Sequence, residues 1–270
     1  MHVALWDFPP TDCLFAAAKS QALEVERAGG EVCTQLLLER QVDVAFLPST
    51  VVLGNADAFA VLPGAAVSTW AYPFARIVLR RGLSHVQSVA YHSTDAIEAL
   101  LARISFQEHY GLAPAFVAVP EGSLDALVQA TEDASLLVGR DIPALPEAGI
   151  TLDLGREWYE LAQYPMVWGL FVTLRELASA AALDAVTALA AEAERQAAAW
   201  AGTDRTPPVL RGFYAHDVRF RLDDLAIAGL TKLREFLYYY KVTNEIADPT
   251  FYSPPTPEAG SWYEADQPSL

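Results

Sequence analysis

Short apolar runs alternate along this chain with polar or proline-containing loops and with segments of helical spacing, which is the pattern of an α/β protein. Val3–Trp6 reads as a buried strand. It is left by the loop Asp7-Phe8-Pro9-Pro10-Thr11-Asp12, in which Thr11 or Asp12 caps a helix from Cys13 to Arg27 that stops at Gly29-Gly30. A second helix spans roughly Val32–Arg40 and leads into a strand, Val42–Leu47, that ends at Pro48-Ser49. Ala75–Leu79 and Ser88–Tyr91 are further strands, and His92-Ser93-Thr94-Asp95 opens a helix over Ala96–His109, with Asp95 and Glu98 at capping-box spacing. Phe116–Val119 and Ser135–Val138 predict two more strands, separated by a helix near Ser123–Thr131.

The stretch Asp153-Leu154-Gly155-Arg156-Glu157-Trp158-Tyr159-Glu160-Leu161 predicts a helix that ends near Tyr164, because Pro165 biases the residue before it towards extended backbone. The nearly uninterrupted apolar run from Met166 to Phe171 then predicts a fully buried strand. Leu174–Trp200 is an alanine-rich helix with Leu177, Ala181, Val186 and Leu189 compatible with one packed face, and Asp224–Lys241 another with Leu225, Leu230, Leu233 and Leu237 inward. The strand–loop–helix units fall into two sets joined by one insertion, as in a two-lobed protein with a central ligand cleft. Lobe 1 is expected from 1–82 and 165–270, and an inserted lobe 2 from 83–164. Pro, Ser and Glu dominate 247–270, which predicts a loosely ordered tail.

Composition narrows the function classes. A net charge of -16 argues against a nucleic-acid partner, which needs clustered Lys and Arg. An anionic ligand would have to rely on local cations, for which Arg76, Arg80, Arg81 and Arg140 are the candidates. Arg76 stands out because a charge inside an apolar strand must be paired or face solvent. Two cysteines give neither a disulfide framework nor zinc spacing, and no run of about 20 apolar residues predicts membrane insertion. The N-terminal residues carry no signal-peptide pattern, so the expected location is cytoplasmic. The five histidines lack metal-ligand spacing with acids, and no phosphate loop or dinucleotide glycine motif occurs, so no cofactor is expected.

Candidate site residues cluster at strand ends, where open α/β sheets bind ligands. Ser49 follows one strand, and His92, a candidate acid or base, ends another. Aromatic and hydroxyl residues interleave over Ser68–Phe74, which suits a small ring-shaped ligand. Free N–H groups at the helix starts near Thr11 and Thr94 would favour a carboxylate.

The stretch Asp153–Leu161 with Pro165 and Val167-Trp168 resembles the chorismate dehydratase family of the futalosine route to menaquinone, which is related to type 2 periplasmic binding proteins. Val42-Asp43-Val44-Ala45 with Pro48-Ser49 is similar to that family's strand-end motif, and Leu222, Gly229-Leu230 and Phe236 resemble its C-terminal helix. The resemblance implies a two-lobed type 2 periplasmic-binding-protein-like fold. It also implies a hydro-lyase that removes water from chorismate to give 3-(1-carboxyvinyloxy)benzoate, with a small anionic substrate as partner. The family's first loop carries Tyr-Leu-Asn-Thr with a catalytic asparagine, where this chain has Phe8-Pro9-Pro10-Thr11. The resemblance therefore implies Asp7 or Thr11 as the catalytic replacement. Trp6, Phe8, Tyr72 and Trp168 would wall the ring, and Ser49, Ser93, Thr94 and Asp95 would contact the substrate. The alternatives are a non-catalytic protein binding an anionic aromatic or carboxylate ligand, and another reaction of the same pathway on this scaffold.

Overall fold

The computed structural model describes residues 1–21, 23–93, 96–119, 124–145 and 149–254. The first lobe opens with β1 (His2–Trp6), α1 (Asp12–Ser20), β2 (Glu24–Ala28), α2 (Gly30–Leu38), β3 (Val44–Pro48), the short α3 (Ser49–Gly54) and β4 (Phe59–Thr69). The chain then crosses into β5 (Ala75–Leu79), β6 (Ser88–His92), α4 (Ala96–Ile104, continued as a wider turn over Ser105–His109), β7 (Ala115–Val119), α5 (Leu124–Val128), β8 (Ala134–Val138), β9 (Ile150–Asp153) and α6 (Leu154–Ala162). It returns through β10 (Met166–Leu174), α7 (Ala180–Ala201), α8 (Pro208–Gly212), β11 (Val218–Arg219), α9 (Asp224–Tyr239) and β12 (Thr250–Phe251).

Two mixed sheets result. The first is ordered β11-β4-β10-β3-β1-β2, with β12 added alongside β4; the second is β7-β6-β8-β5-β9. Within the first, β1 runs parallel to β2 and β3, and β10 lies antiparallel between β3 and β4. All nine residues of β10 are buried, as the nearly uninterrupted apolar run over Met166–Phe171 predicts. Gly169 lets this strand pass the Phe46 ring, since a Cβ there would come within 2.4 Å of Phe46 Cζ.

Pro165 separates α6 from β10 as its chemistry demands. The helix ends at Ala162, and Gln163 takes the left-handed conformation (φ 61°) that returns its N–H to Tyr159 O. At the other end of α6, the Asp153 carboxylate accepts from Arg156 N at 3.0 Å as an N-cap and from Tyr72 N at 2.8 Å. One side chain thus ties the outgoing crossover, Trp70–Phe74, to the start of the returning helix. Gly155 permits this closeness, because a Cβ would lie 2.6 Å from both Ala71 C and Tyr72 N.

Several expectations require correction. Glu24–Ala28 is an edge strand and not the end of a long helix; its Ala, Glu and Arg favour helix intrinsically, but pairing with β1 overrides that preference. The outgoing boundary lies at 70–74 and not at 82, because Ala75–Leu79 hydrogen-bonds with β8 and β9 of the second sheet. Leu177, Ala181 and Leu225 are exposed, whereas Val186, Leu189, Leu230, Leu233 and Leu237 are buried as expected. The tail expected to be loose from 247 is pinned as far as Tyr252, whose N–H bonds Val61 O beside β12. Residues 255–270 lie outside the described residues.

Candidate functional site

The loop leaving β1 is shaped by its two prolines. Pro9–Thr11 form one turn of 3-10 helix, and the fully buried Thr11 hydroxyl closes it, accepting from Phe8 N at 3.2 Å and lying 2.6 Å from Phe8 O and 2.9 Å from Trp6 O. This turn folds the Phe8 ring inward, where it stacks under Trp6 (centroids 4.3 Å apart, planes 6° apart) and meets Trp168 at 6.1 Å and Tyr72 at 6.3 Å. Tyr72 and Trp168 approach to 4.1 Å, and Trp168 Nε1 donates to Thr69 Oγ1 at 2.9 Å. The four aromatics expected around a ring ligand do assemble. They pack on one another, however, and Phe8, Tyr72 and Trp168 are buried core, so the expected wall of four offers a ligand one ring, that of the half-buried Trp6.

Trp6 forms the floor of a groove between the lobes with a volume of about 700 Å³. Pro48, Thr50 and Val51 line one side, Glu31, Gln35 and Glu39 another, and Ala96, Ile97 and Glu98 at the start of α4 close it from the second lobe. An adjoining chamber of about 330 Å³ shares Thr50, Ala96 and Ile97 and adds Tyr91, Ser93 and Arg103. Ser93 therefore reaches the site. Ser49 sits immediately behind its wall, and its fully buried Oγ has no hydrogen-bond partner among the described residues. His92 Nδ1 is likewise buried and unpartnered among them. Thr94 and Asp95 lie outside the described residues.

The electrostatics differ from expectation. Glu31, Glu39 and Glu98 supply three carboxylates to the groove lining, and Arg76, Arg80, Arg81 and Arg140 are all absent from it. Arg140, which follows β8 in the second lobe, instead binds Asp7 at 2.6 Å and Asp12 at 3.1 Å; Arg27 of β2 binds the same two carboxylates at 2.7 and 2.9 Å. Burial works to raise the Asp7 pKa, but hydrogen bonds from the two guanidinium groups overcome it and hold the carboxyl below its ordinary range. Asp7 is thus one half of a bridge between lobes and a poor proton acceptor, and Thr11 is a turn lock. In this conformation both side chains expected to be catalytic are engaged, Asp7 by two guanidinium groups and the Thr11 hydroxyl by the backbone of its own turn.

A second tie joins the lobes where Tyr240 OH donates to Glu108 Oε1 at 2.8 Å. Within the second lobe, Tyr110 OH donates to Glu157 Oε2 at 2.6 Å; burial pushes the pKa of both groups up. The Asp7–Arg140 bridge escaped sequence reasoning because its members are 133 positions apart. The one available signal was a pair of acids, Asp7 and Asp12, flanking a loop in a chain with few basic residues. Among the described residues no cluster of His, Cys, Asp and Glu fits a metal ion, and no helix is long and apolar enough to cross a membrane.

Comparison with known proteins places this geometry. The family described as "Menaquinone biosynthesis" matches residues 1–239. Among solved structures, protein AF1704 from Archaeoglobus fulgidus superposes with a TM-score of 0.63 at 18% identity, over 89% of this chain and 97% of that one. The periplasmic aliphatic sulphonate binding protein SsuA from Escherichia coli superposes with a TM-score of 0.62 at 14% identity, over 100% of this chain and 96% of that one. The alkanesulfonate-binding protein SsuA from Xanthomonas axonopodis pv. citri, bound to MOPS, gives 0.60 at 14% identity over 92% and 95%. No curated protein sequence matches the chain. The fold is type 2 periplasmic-binding-protein-like, with its groove where the two lobes face each other.

Proposed function

Because the chain belongs to the menaquinone-biosynthesis family, we propose that it is a carbon–oxygen lyase that dehydrates chorismate in the interlobe groove. The observation that carries this reading is the exposed face of Trp6, a flat apolar platform at the end of β1 in a groove of about 700 Å³, which suits a cyclohexadiene ring. The reaction removes one ring proton and one ring hydroxyl as water, and the gain of aromaticity drives it. It therefore asks for a base on one side of the ring and a donor for the departing hydroxyl, without a cofactor. Glu98, buried at the first turn of α4, is the carboxylate best placed to take the proton. Ser93, Thr50 and the N–H groups at the start of α4 would hold the substrate carboxylates.

The test is incubation with chorismate followed by product analysis. Formation of 3-(1-carboxyvinyloxy)benzoate, abolished in Glu98→Gln and in Trp6→Ala, supports the assignment; no turnover at stoichiometric enzyme sinks it. One observation favours a second reading, a binding protein without turnover. Three glutamates line the groove, and the two arginines nearest the first loop are already engaged by Asp7 and Asp12. That reading expects saturable chorismate binding by calorimetry with the substrate recovered unchanged.

A further inference from the structure

Two arginines in different circumstances, Arg76 in β5 and Arg80 just past its end, lie where the second sheet faces α5. Arg80 is spent on structure: its guanidinium donates to Glu132 O, Val128 O, Leu127 O and Ser135 Oγ at 2.7–3.4 Å. Arg76, four residues earlier and within β5, is half-buried yet makes one long hydrogen bond, to Leu145 O at 3.3 Å, and has no carboxylate partner among the described residues. Its remaining donors border a cavity of about 570 Å³ that shares no lining residue with the interlobe groove. Val78, Leu124, Val128 and Leu137 make most of that cavity apolar, and Asp125 is the acid among its lining residues.

A partly desolvated cation with no anion among the described residues is costly, and every other arginine bridge described above ends on a carboxylate or on several carbonyls. The volume lies within the usual range for small-molecule sites, and a few placed charged groups in an apolar lining are how such sites fix orientation; here Arg80 is already spent on carbonyls, Asp125 repels a second negative charge, and Arg76 is left to receive an anion. We propose that this cavity is a second ligand site, distinct from the groove, for an amphipathic monoanion. Its carboxylate pairs with the Arg76 guanidinium, and its apolar ring or chain lies between β5, β8 and α5. The single free guanidinium sets the charge at one, which separates this ligand from a dicarboxylate. Both a ring and a short alkyl chain satisfy the chemistry, and the test distinguishes them.

The experiment titrates the full chain, labelled at Leu and Val methyl groups, with 1-naphthoate, with decanoate and with the neutral 1-naphthamide. Saturable shifts are expected at Val78, Leu124, Val128 and Leu137 with one or both carboxylates, and none at Leu38 and Val51, which line the groove. Arg76→Met keeps the apolar stem and should weaken carboxylate binding by about tenfold or more, as expected for loss of a charge-assisted hydrogen bond. The neutral amide should bind weakly and equally to both proteins. Thr151→Phe, which fills the cavity from β9, should abolish the shifts while leaving chorismate binding in the groove unchanged. Absence of saturation with either acid, shifts confined to Leu38 and Val51 of the groove, or unaltered binding by Arg76→Met overturns the proposal. Because the groove and the cavity are read at different methyl groups, failure here is distinguishable from failure of the lyase assignment.

Discussion

Replacing Arg140 by Met should loosen the first loop by an amount that the bridge geometry bounds. Arg140 contributes two interlobe contacts, to Asp7 and Asp12, and the side chains involved are 33–40% exposed. Pairs this wet contribute about 0.2–1 kcal/mol each, so removing both withdraws roughly 0.4–2 kcal/mol from the closed arrangement. That is a factor of about 2–30 in the open-to-closed ratio. Hydrogen exchange at Phe8 and Thr11 reads the ratio directly, since their N–H groups bond Trp6 O and Phe8 O inside the loop. Protection at both amides should fall by that factor in Arg140→Met and should also fall in the wild type as salt is raised. Arg27→Met removes contacts internal to the first lobe and should affect opening less. The Asp7 carboxyl is held below its ordinary value when bridged, so the open state takes up protons first as pH falls. The bridge is therefore complete above about pH 4 and weakens as pH drops through the lowered folded value. Unchanged protection in Arg140→Met at low salt would refute the bridge as the closing element.

Substitutions at three further positions test the crossover. Gly155→Ala places a methyl against the Ala71 and Tyr72 backbone, which cannot yield as a side chain end could; despite its better helix propensity, the variant should lose about 1–3 kcal/mol in urea unfolding, and a gain would contradict the geometry. Thr69→Val strands the Trp168 indole N–H in the core and should cost about 1–3 kcal/mol by the same measurement. Burial raises the folded pKa of Asp153, so the folded protein holds this proton more tightly than the unfolded chain, and stability falls as pH rises through the carboxylate range. Asp153→Asn keeps the acceptor for Arg156 and Tyr72 and should remove that slope without loss at neutral pH, whereas Asp153→Ala should lose about 0.5–2 kcal/mol as a broken N-cap.

What the sequence made legible was whatever one strand or helix decides alone. β10 is readable because burial on both faces demands a nearly uninterrupted apolar run, broken here only by Thr173, and the break before it because proline cannot continue a helix. β2 is hidden because an edge strand with one wet face can be built from Glu and Arg, and only its alignment with β1 makes it a strand. Arg76 was noticed as an unexplained charge in an apolar strand, but nothing local says that it borders a cavity while Arg80 beside it is spent on carbonyls.

The first loop marks the deeper limit. Its composition offered an acid, a hydroxyl and an aromatic at a strand end, which is the equipment of a site, and the residue types were right for that place. Their side of the backbone was not readable. Two prolines wind the loop into a 3-10 turn, the Thr11 hydroxyl is consumed in closing it, and Phe8 is thereby sent into the core to support Trp6 from below. Asp7 and Asp12 are left facing outward as a pair of acids whose charge must be met, and the chain meets it with one arginine from each lobe. The residues expected to carry out chemistry therefore position it: they set the height of the Trp6 platform and the closure of the lobes above it. On the proposed reading the groove's reactive groups come from the far wall, at the start of α4, so a loop substitution should alter how often the site is assembled before it alters the chemical step.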